Sequence, residues 1–599
     1  MLKALLLTAE RPEHHLITSI TNAMKNTVNA LLAIILLLTA GCKKFLDNEP
    51  KGALTADVLA TPDKVDALVT AAYASIGNDV FTGSITSMWL YGSVRSDDAY
   101  KGGGSVSDLG EFNAYEQYNL IEPTNQNSDN GFPNTWRTAY AAISRANFAL
   151  RTLNQLTDAR FPGRAVRQAE VRFLRGHLHF LLKILFRNVP YVDETLSDDD
   201  ILKVSNTLSD EDLWNKIADD FQFAADNLPV KQPEVGRANR VAAKAYLAKV
   251  RLYQAYQQDA NHAVTSINPA RLNEVVALTN EVINAGVYRL NDDFAKNFLY
   301  GFDNGPESVF AIQYSINDGT TFGRLSMSTG LNYSLAPPYG CCWFHIPSQN
   351  VVNAFKTDSN GLPQFDTFNN SEMKEPADFL TNGVDPRLDH TVGIQGHPFK
   401  YQPNVLYDHS WERISALYGG FGNMKEQQAA DCPCFKKQGP FYGSSVNIDV
   451  IRYADVLLWR AEALIELGRQ AEALPLINQV RTRAKNSTQR LKLASGTNPS
   501  NYRINEYADG VNIAWTQANA RRALQWERRL EFAMESPRFF DLVRWGIAAE
   551  TLNAYLATEK QRKAYLASAE FIKGRNEYFP IPQKEIDFTK GLYKQNTGY

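Results

Sequence analysis

Between Thr61 and Gly286 apolar residues recur at three- and four-residue steps, the spacing that gathers them on one face of an α-helix. Val65, Leu68, Val69, Ala72, Tyr73 and Ile76 form the first stripe, behind a capping Thr61 and with Pro62 at the first helical position. Trp136, Tyr140, Ile143, Leu150 and Leu153 predict a second helix. Val166, Phe173, Leu174, His177, Leu181 and Ile184 predict a third, ending before Pro190. A fourth opens at Ser209 and Asp210, carries Leu213, Ile217, Phe221 and Leu228, and stops at Pro229. From Arg240 to Tyr256 four alanines (Ala242, Ala243, Ala245, Ala248) leave room for a close partner, which Leu272 to Ala285 supplies before Gly286 turns the chain. A second such hairpin runs from Tyr453 to Leu467, through Gly468, and back from Gln470 to Ala484.

Within that second hairpin, ALIELGRQAEAL resembles a tetratricopeptide repeat, and two alanine-rich hairpins among other paired helices predict a helical-repeat scaffold. Between about Leu290 and Pro440 the helical spacing fades and Gly, Pro, Asn and aromatic residues take over. There Phe310, Ile312, Tyr314 and Ile316 alternate with Ala311, Gln313 and Ser315, a strand signal. The expected fold class is therefore mainly α, a tetratricopeptide-like scaffold carrying an irregular, partly β lobe suited to ligand binding. The expected division is a signal over 1–41, a tether over 42–60, an N-terminal helical part over 61–290, the lobe over 291–440 and a C-terminal helical part over 441–599.

The signal rests on a different pattern. Ala30 to Leu38 is an unbroken apolar run preceded by Lys25 and followed by Thr39, Ala40, Gly41 and Cys42, as in an export signal. The charge-free stretch from Asn26 to Gly41 has 16 residues, short of the ~20 that a membrane-spanning helix needs. Its Leu-Thr-Ala-Gly-Cys ending resembles a bacterial lipoprotein signal, which implies lipidation of Cys42. Residues 1–23 contain Glu10 and Glu13, foreign to a signal's basic start, so translation is expected to begin at Met24.

Composition narrows the function classes. The chain has 599 residues, with 62 basic against 65 acidic side chains, so no cationic field recommends nucleic acid as a partner. Beyond Cys42 the cysteines form two close pairs, Cys341 with Cys342 and Cys432 with Cys434. Export makes disulfides the expected use of all four, and bridges between the two pairs would pin a long loop, although sequence leaves the partners open. A four-thiolate zinc site is disfavoured because adjacent cysteines lack the usual ligand gap. No metal set or cofactor motif is read.

Reactive motifs are lacking: no Gly-x-Ser-x-Gly elbow, phosphate loop, His-Glu-x-x-His helix or dinucleotide fingerprint. His177 and His179 lie about 200° apart on their helix and cannot converge on one ion. Glu527, Glu531 and Glu535 share a helical face, where neighbouring Arg528 and Arg529 suggest structural ion pairs rather than paired catalytic acids. Asp358, Asn360 and Gly361 read as a turn, not a calcium loop, for want of the later bidentate acid. For binding, Trp89, Tyr91, Arg95, Asp97, Asp98 and Tyr100 precede the flexible Gly102 to Gly104, and rings beside acids suit a polyhydroxylated ligand. A capped surface loop is the alternative reading. Tyr339, Trp343 and Trp411, with Tyr418 and Tyr442, are further candidates in the lobe.

The C-terminal third carries ordered blocks: IRYADVLLWRAEAL, RRALQWERRLEFAMESPRFFDLVRWG, YFPIPQKEID and the terminal QNTGY. With CKKFLDNEP, AEVRFLRGHLHFLLKILFRNVP, GRANRVAAKAYLAKVRLY and DPRLDHTVG upstream, the chain resembles the SusD/RagB family of outer-membrane lipoproteins. That resemblance implies a tetratricopeptide-like fold and no catalysis. It also implies delivery of glycans, or in some members peptides, to a SusC-like TonB-dependent transporter from the outer membrane. A glycoside hydrolase is the rival from another class. Family ligand residues lie in the variable lobe and do not transfer by motif; Trp343 is the best-placed ring by resemblance of the segment that follows it.

Overall fold

The three- and four-residue stripes become helices where they were expected. The computed structural model describes residues 24, 59–77, 82, 84–120, 130–321 and 323–599. The signal segment, Cys42 and most of the expected tether lie outside the described residues. Helices of two turns or more are numbered in order: α1 (Pro62–Ile76), α2 (Phe132–Asn154), α3 (Arg164–Phe186), α4 (Asp210–Asn227), α5 (Arg240–Ala255), α6 (Pro269–Asn284), α7 (Tyr453–Glu466), α8 (Gln470–Asn486), α9 (Gln517–Phe532), α10 (Pro537–Arg544) and α11 (Ala548–Arg562). Strands used below are β1 (Ala99–Gly102), β2 (Ser308–Ile312), β3 (Phe344–Pro347), β4 (Phe435–Gln438), β5 (Phe441–Ser444) and β6 (Ile448–Arg452).

Each helix from α2 to α6 packs on the one before it, and α6 then packs on α7 across the whole intervening lobe. The helical array is thus continuous in space and interrupted only in sequence, as expected when each unit buries its apolar face against the next. Caps explain the boundaries. Ser209 Oγ accepts from Asp212 N at 3.0 Å, and Asn239 Oδ1 from Ala242 N at 2.9 Å. Thr61 holds the N-cap position of α1 without a side-chain capping bond; Pro62 sets that start. The alanines of α5 are buried, which lets α4 and α6 approach on either side.

The lobe between α6 and α7 consists of short helical turns and two-stranded ribbons. Two ribbons join it to the rest: β1 pairs antiparallel with β3 (Tyr100 opposite Ile346), and β2 with β6 (Ile448 opposite Ile312). The strand at Phe310 and Ile312 is present, but Val309 to Ile312 are all buried, so alternation does not separate a wet face from a dry one. Phe173 of α3 meets Phe310 at 4.7 Å on one face, and β6 closes the edge. Each cysteine pair bonds within itself, Cys341 to Cys342 and Cys432 to Cys434, a pairing that the sequence leaves open, so no bridge pins the long loop between the pairs. Sulfurs one or two residues apart meet without closing a long loop.

α9 supplies the electrostatic centre. Glu527 accepts from Arg387 and Arg481, and Glu531 from Arg387, Arg452 and Arg483, all buried. Ion pairing is thus the role of this acidic face, but the partners come from other elements rather than from Arg528 and Arg529.

Candidate functional site

A cavity of about 220 Å³ lies where α3, α5, α7 and α9 meet the lobe. Its volume equals roughly seven waters at ~30 Å³ each, the scale of one sugar or amino-acid unit. Repeat packing supplies the apolar wall, with Phe180 from α3, Tyr253 from α5, Trp459 from α7 and Phe532 from α9. Irregular segments supply the polar wall, among them Asn297, Thr329, Glu426, Asn447 and Asp449. Convergent polar groups on an otherwise ring-rich surface are the usual make-up of a small-ligand site.

The charges around the cavity fall into two kinds. Arg452 is held by Glu307 at 2.7 Å, Glu531 at 2.9 Å and Glu535 at 2.9 Å, with its guanidinium 4.5 Å from the Phe532 ring centroid. Lys425 donates to Glu535 at 2.6 Å, and burial, only partly opposed by Glu535, lowers its ammonium to about 8. These cations are neutralised in place. Asp449, on β6, is different: burial pushes its carboxyl up to about 7, and its one protein donor is the Ser308 hydroxyl at 2.5 Å. Burial likewise raises Asp455 against the pull of Arg528.

α5 places Lys249 and Tyr253 one turn apart on the face that lines the cavity. Lys249 Nζ sits 5.1 Å from the Phe180 centroid, 5.4 Å from Tyr246 and 5.9 Å from Trp459, and burial lowers it to about 8. Among the described residues neither this ammonium nor the Tyr253 hydroxyl has a hydrogen-bond or ion-pair partner. The cavity can therefore offer rings, a donor cation, a phenol and a carboxyl that is half protonated near neutral pH.

None of the sequence-expected binding residues lines this cavity. Trp89 is 3% exposed and its indole N–H donates to Ser328 O at 3.2 Å. Tyr91 bonds Thr135, and Arg95 is clamped between the rings of Phe539 and Phe579, 4.1 Å from each. Burial raises Asp97, but Arg529 and Arg538 outweigh it and hold the carboxyl down to about 2. Asp98 meets Arg529 at 3.2 Å, and Tyr100 donates to Glu559 at 2.7 Å. The segment is neither a ligand platform nor a surface loop: it ties the N-terminal part to α9, α10 and α11. The residues just before it, Ile85 to Met88, are the ones that reach the cavity.

The lobe rings are likewise engaged. Trp343 is 0% exposed, packed with Tyr100, Ile346 and Tyr418, which corrects the expectation that its ring stacks on a ligand. Tyr339 is buried among Tyr333, Phe435 and Tyr442, and half-buried Trp411 packs on Phe399 and Tyr407. Aromatic residues in a Gly-rich region here build small local cores, because a lobe without long helices needs rings to bury enough surface. His177 binds Tyr246 and His179 binds Arg175 O, each with its own partner. Asp358 accepts from the backbone of Asn360 and Leu362, the expected turn. No group of three or more His, Cys, Asp or Glu side chains suited to a metal occurs among the described residues.

What sequence reasoning missed was Lys249, Tyr253, Asp449 and Asp455. One signal existed: Lys249 interrupts the buried face of an alanine-rich helix between Ala245 and Tyr253, where an apolar residue would satisfy the period.

Residues 306–599 match the SusD family, and residues 44–252 match a family described as starch-binding and associating with the outer membrane. SusD-like protein P2 of Formosa agariphila is 26% identical over 94% of this chain and 98% of its own length. The fold is similar to that of a SusD homolog from Bacteroides thetaiotaomicron, with a TM-score of 0.66 at 21% identity over 90% of this chain and 98% of the other. It is also similar to surface glycan-binding protein A from the same organism in complex with laminarihexaose, with a TM-score of 0.63, 21% identity and coverage of 90% and 99%. No described helix is long and apolar enough to cross a membrane. In two successive blocks the matches span most of the chain, in the order in which the helical array and its lobe are built, and the chain belongs to the SusD/RagB family.

Proposed function

We propose that this protein captures an extracellular oligosaccharide in the cavity and hands it, chemically unchanged, to a SusC-like TonB-dependent transporter. In this reading Cys42 carries lipid and holds the protein on the outer membrane facing outward, with the residues after it as a leash. The observation that carries the proposal is the cavity itself. Its rings can cover the apolar face of a sugar, while Tyr253, Lys249, Asn447 and Asp449 present donors and acceptors for hydroxyls. Relatives described as glycan-binding proteins of the same fold support the choice of ligand class.

Titration of the chain from Cys42 onward with panels of oligosaccharides and of peptides tests it. Saturable binding of a glycan that is recovered intact, weakened by Tyr253→Phe, is the expected result. Retention of peptides alone would move the protein to peptide capture. Cleavage of the glycan, abolished by one carboxylate substitution, would make it a hydrolase.

A further inference from the structure

Lys249 stands apart from the other cations on the cavity wall, which are held by carboxylates. The nearest charges cancel around it: Asp455 and Asp541 attract its ammonium, and Arg528 and Arg544 repel it. Those four are committed to one another or to neighbours. Arg528 meets Asp541 at 2.7 Å, and Arg544 meets Asp541 at 2.9 Å and also Glu462. Lys425 and Arg452, the other cations on the same wall, are neutralised by Glu535, Glu531 and Glu307. Asp455 in turn lies 3.5 Å from Arg528, so among the described residues Lys249 is the cation on this wall that no carboxylate reaches within ion-pair distance. Leaving a charge enclosed without a hydrogen-bonding counter-charge is costly, and three surrounding rings compensate only in part. His177, also on the cavity wall, buries Nε2 without a partner. One turn further along α5 the Tyr253 hydroxyl is free as well. The helix thus presents an ammonium and a phenol together to a space the size of one sugar ring.

We infer that Lys249 is the counter-charge for a carboxylate on the ligand, with Tyr253 as a second donor, so that the cavity takes a uronate unit of an acidic oligosaccharide. This rests on the proposed capture of glycans and names their class. A neutral sugar would leave the ammonium with hydroxyl acceptors alone. A carboxylate gives it a charge-assisted bond in surroundings that strengthen such bonds.

The test is calorimetric titration of the folded wild-type chain with uronate oligosaccharides (oligogalacturonate, oligoguluronate and glucuronoxylan fragments). Each is compared with its carboxyl-reduced counterpart, and laminarihexaose and oligoglutamate serve as further ligands. At least one uronate form should bind roughly ten- to hundredfold tighter than its reduced counterpart, the worth of one charged hydrogen bond. Lys249→Met should bring the acid and its reduced form to equal affinity, while Lys249→Arg keeps part of the difference. Equal affinity for every acid and its reduced form in the wild type overturns the inference, whatever the variants do. So does a difference that survives in folded Lys249→Met. Binding of laminarihexaose but of no uronate form removes this inference and leaves glycan capture standing. Binding of oligoglutamate alone, or of nothing, removes both.

Discussion

Two sets of buried charge lie within the same helical frame and behave as opposites. Around Glu527 and Glu531 every carboxylate has at least one buried arginine and every arginine at least one carboxylate, supplied by Arg387, Arg452, Arg481 and Arg483 from three other elements. At the cavity, among the described residues, Lys249 has rings but no hydrogen-bond or ion-pair partner, and the Asp449 carboxyl has one hydroxyl donor. Residue types are the same in both. The closed set, in which every member is ion-paired, is architecture, whereas the open set keeps a cation without a counter-charge that only a ligand or solvent can supply. Burial of a charged residue therefore does not mark a site; an unpaired charge that faces open space does.

The contrast breaks most visibly on the closed side. Glu531→Ala removes the carboxylate that Arg387, Arg452 and Arg483 share, leaving them to Asp385, Glu527, Glu307 and Glu535, and should cost about 3–5 kcal/mol in urea-induced unfolding. A loss within the range of an exposed pair would mean that the network is not closed as described. Trp343→Ala should cost roughly 3 kcal/mol or more in the same measurement, because it empties a fully buried site. Glycan affinity of the folded variant should stay at the wild-type level; a drop would return Trp343 to the ligand site.

Protonation sharpens the comparison, because Asp97 and Asp449 are shifted in opposite directions. The carboxyl of Asp449 is raised from 3.8 to about 7, so between those values the native state binds the extra proton. Stability then falls as pH rises through that window. Asp97, held down to about 2, contributes stability above 3.8 that is lost as pH falls toward 2. Asp449→Asn should accordingly match the wild type near pH 4 and exceed its unfolding midpoint at pH 7. A constant offset between the two across that range would show that Asp449 is ordinarily ionised. The smallest effect is at Tyr253, where Tyr253→Phe should weaken the captured glycan by about 1 kcal/mol and leave stability within ~0.5 kcal/mol.

The helices were legible because their evidence is local. Ser209, Pro229, Gly286 and Gly468 mark starts, stops and turns within a few residues of the stripes they bound. The ring-rich segment from Trp89 to Tyr100 was legible as unusual, but its role was not. Its partners Arg529, Arg538, Glu559 and Asn576 follow more than 400 residues later. Trp343 misled for a related reason: a ring in a loop lobe serves equally as a platform or as the core of that lobe, and only neighbours decide between them.

By itself the sequence determined the helical-repeat class, the interrupted array, the membership in a family and the candidate lipid anchor, since each rests on periodicity, caps or contiguous motifs. Tertiary structure alone decided which buried charges cancel and which remain. Arg452 and Lys249 look alike in sequence, as basic residues on or beside apolar helices. Electrostatic pairing falls off within a few ångströms, and the carboxylates that reach Arg452 but not Lys249 come from chain segments far apart in sequence.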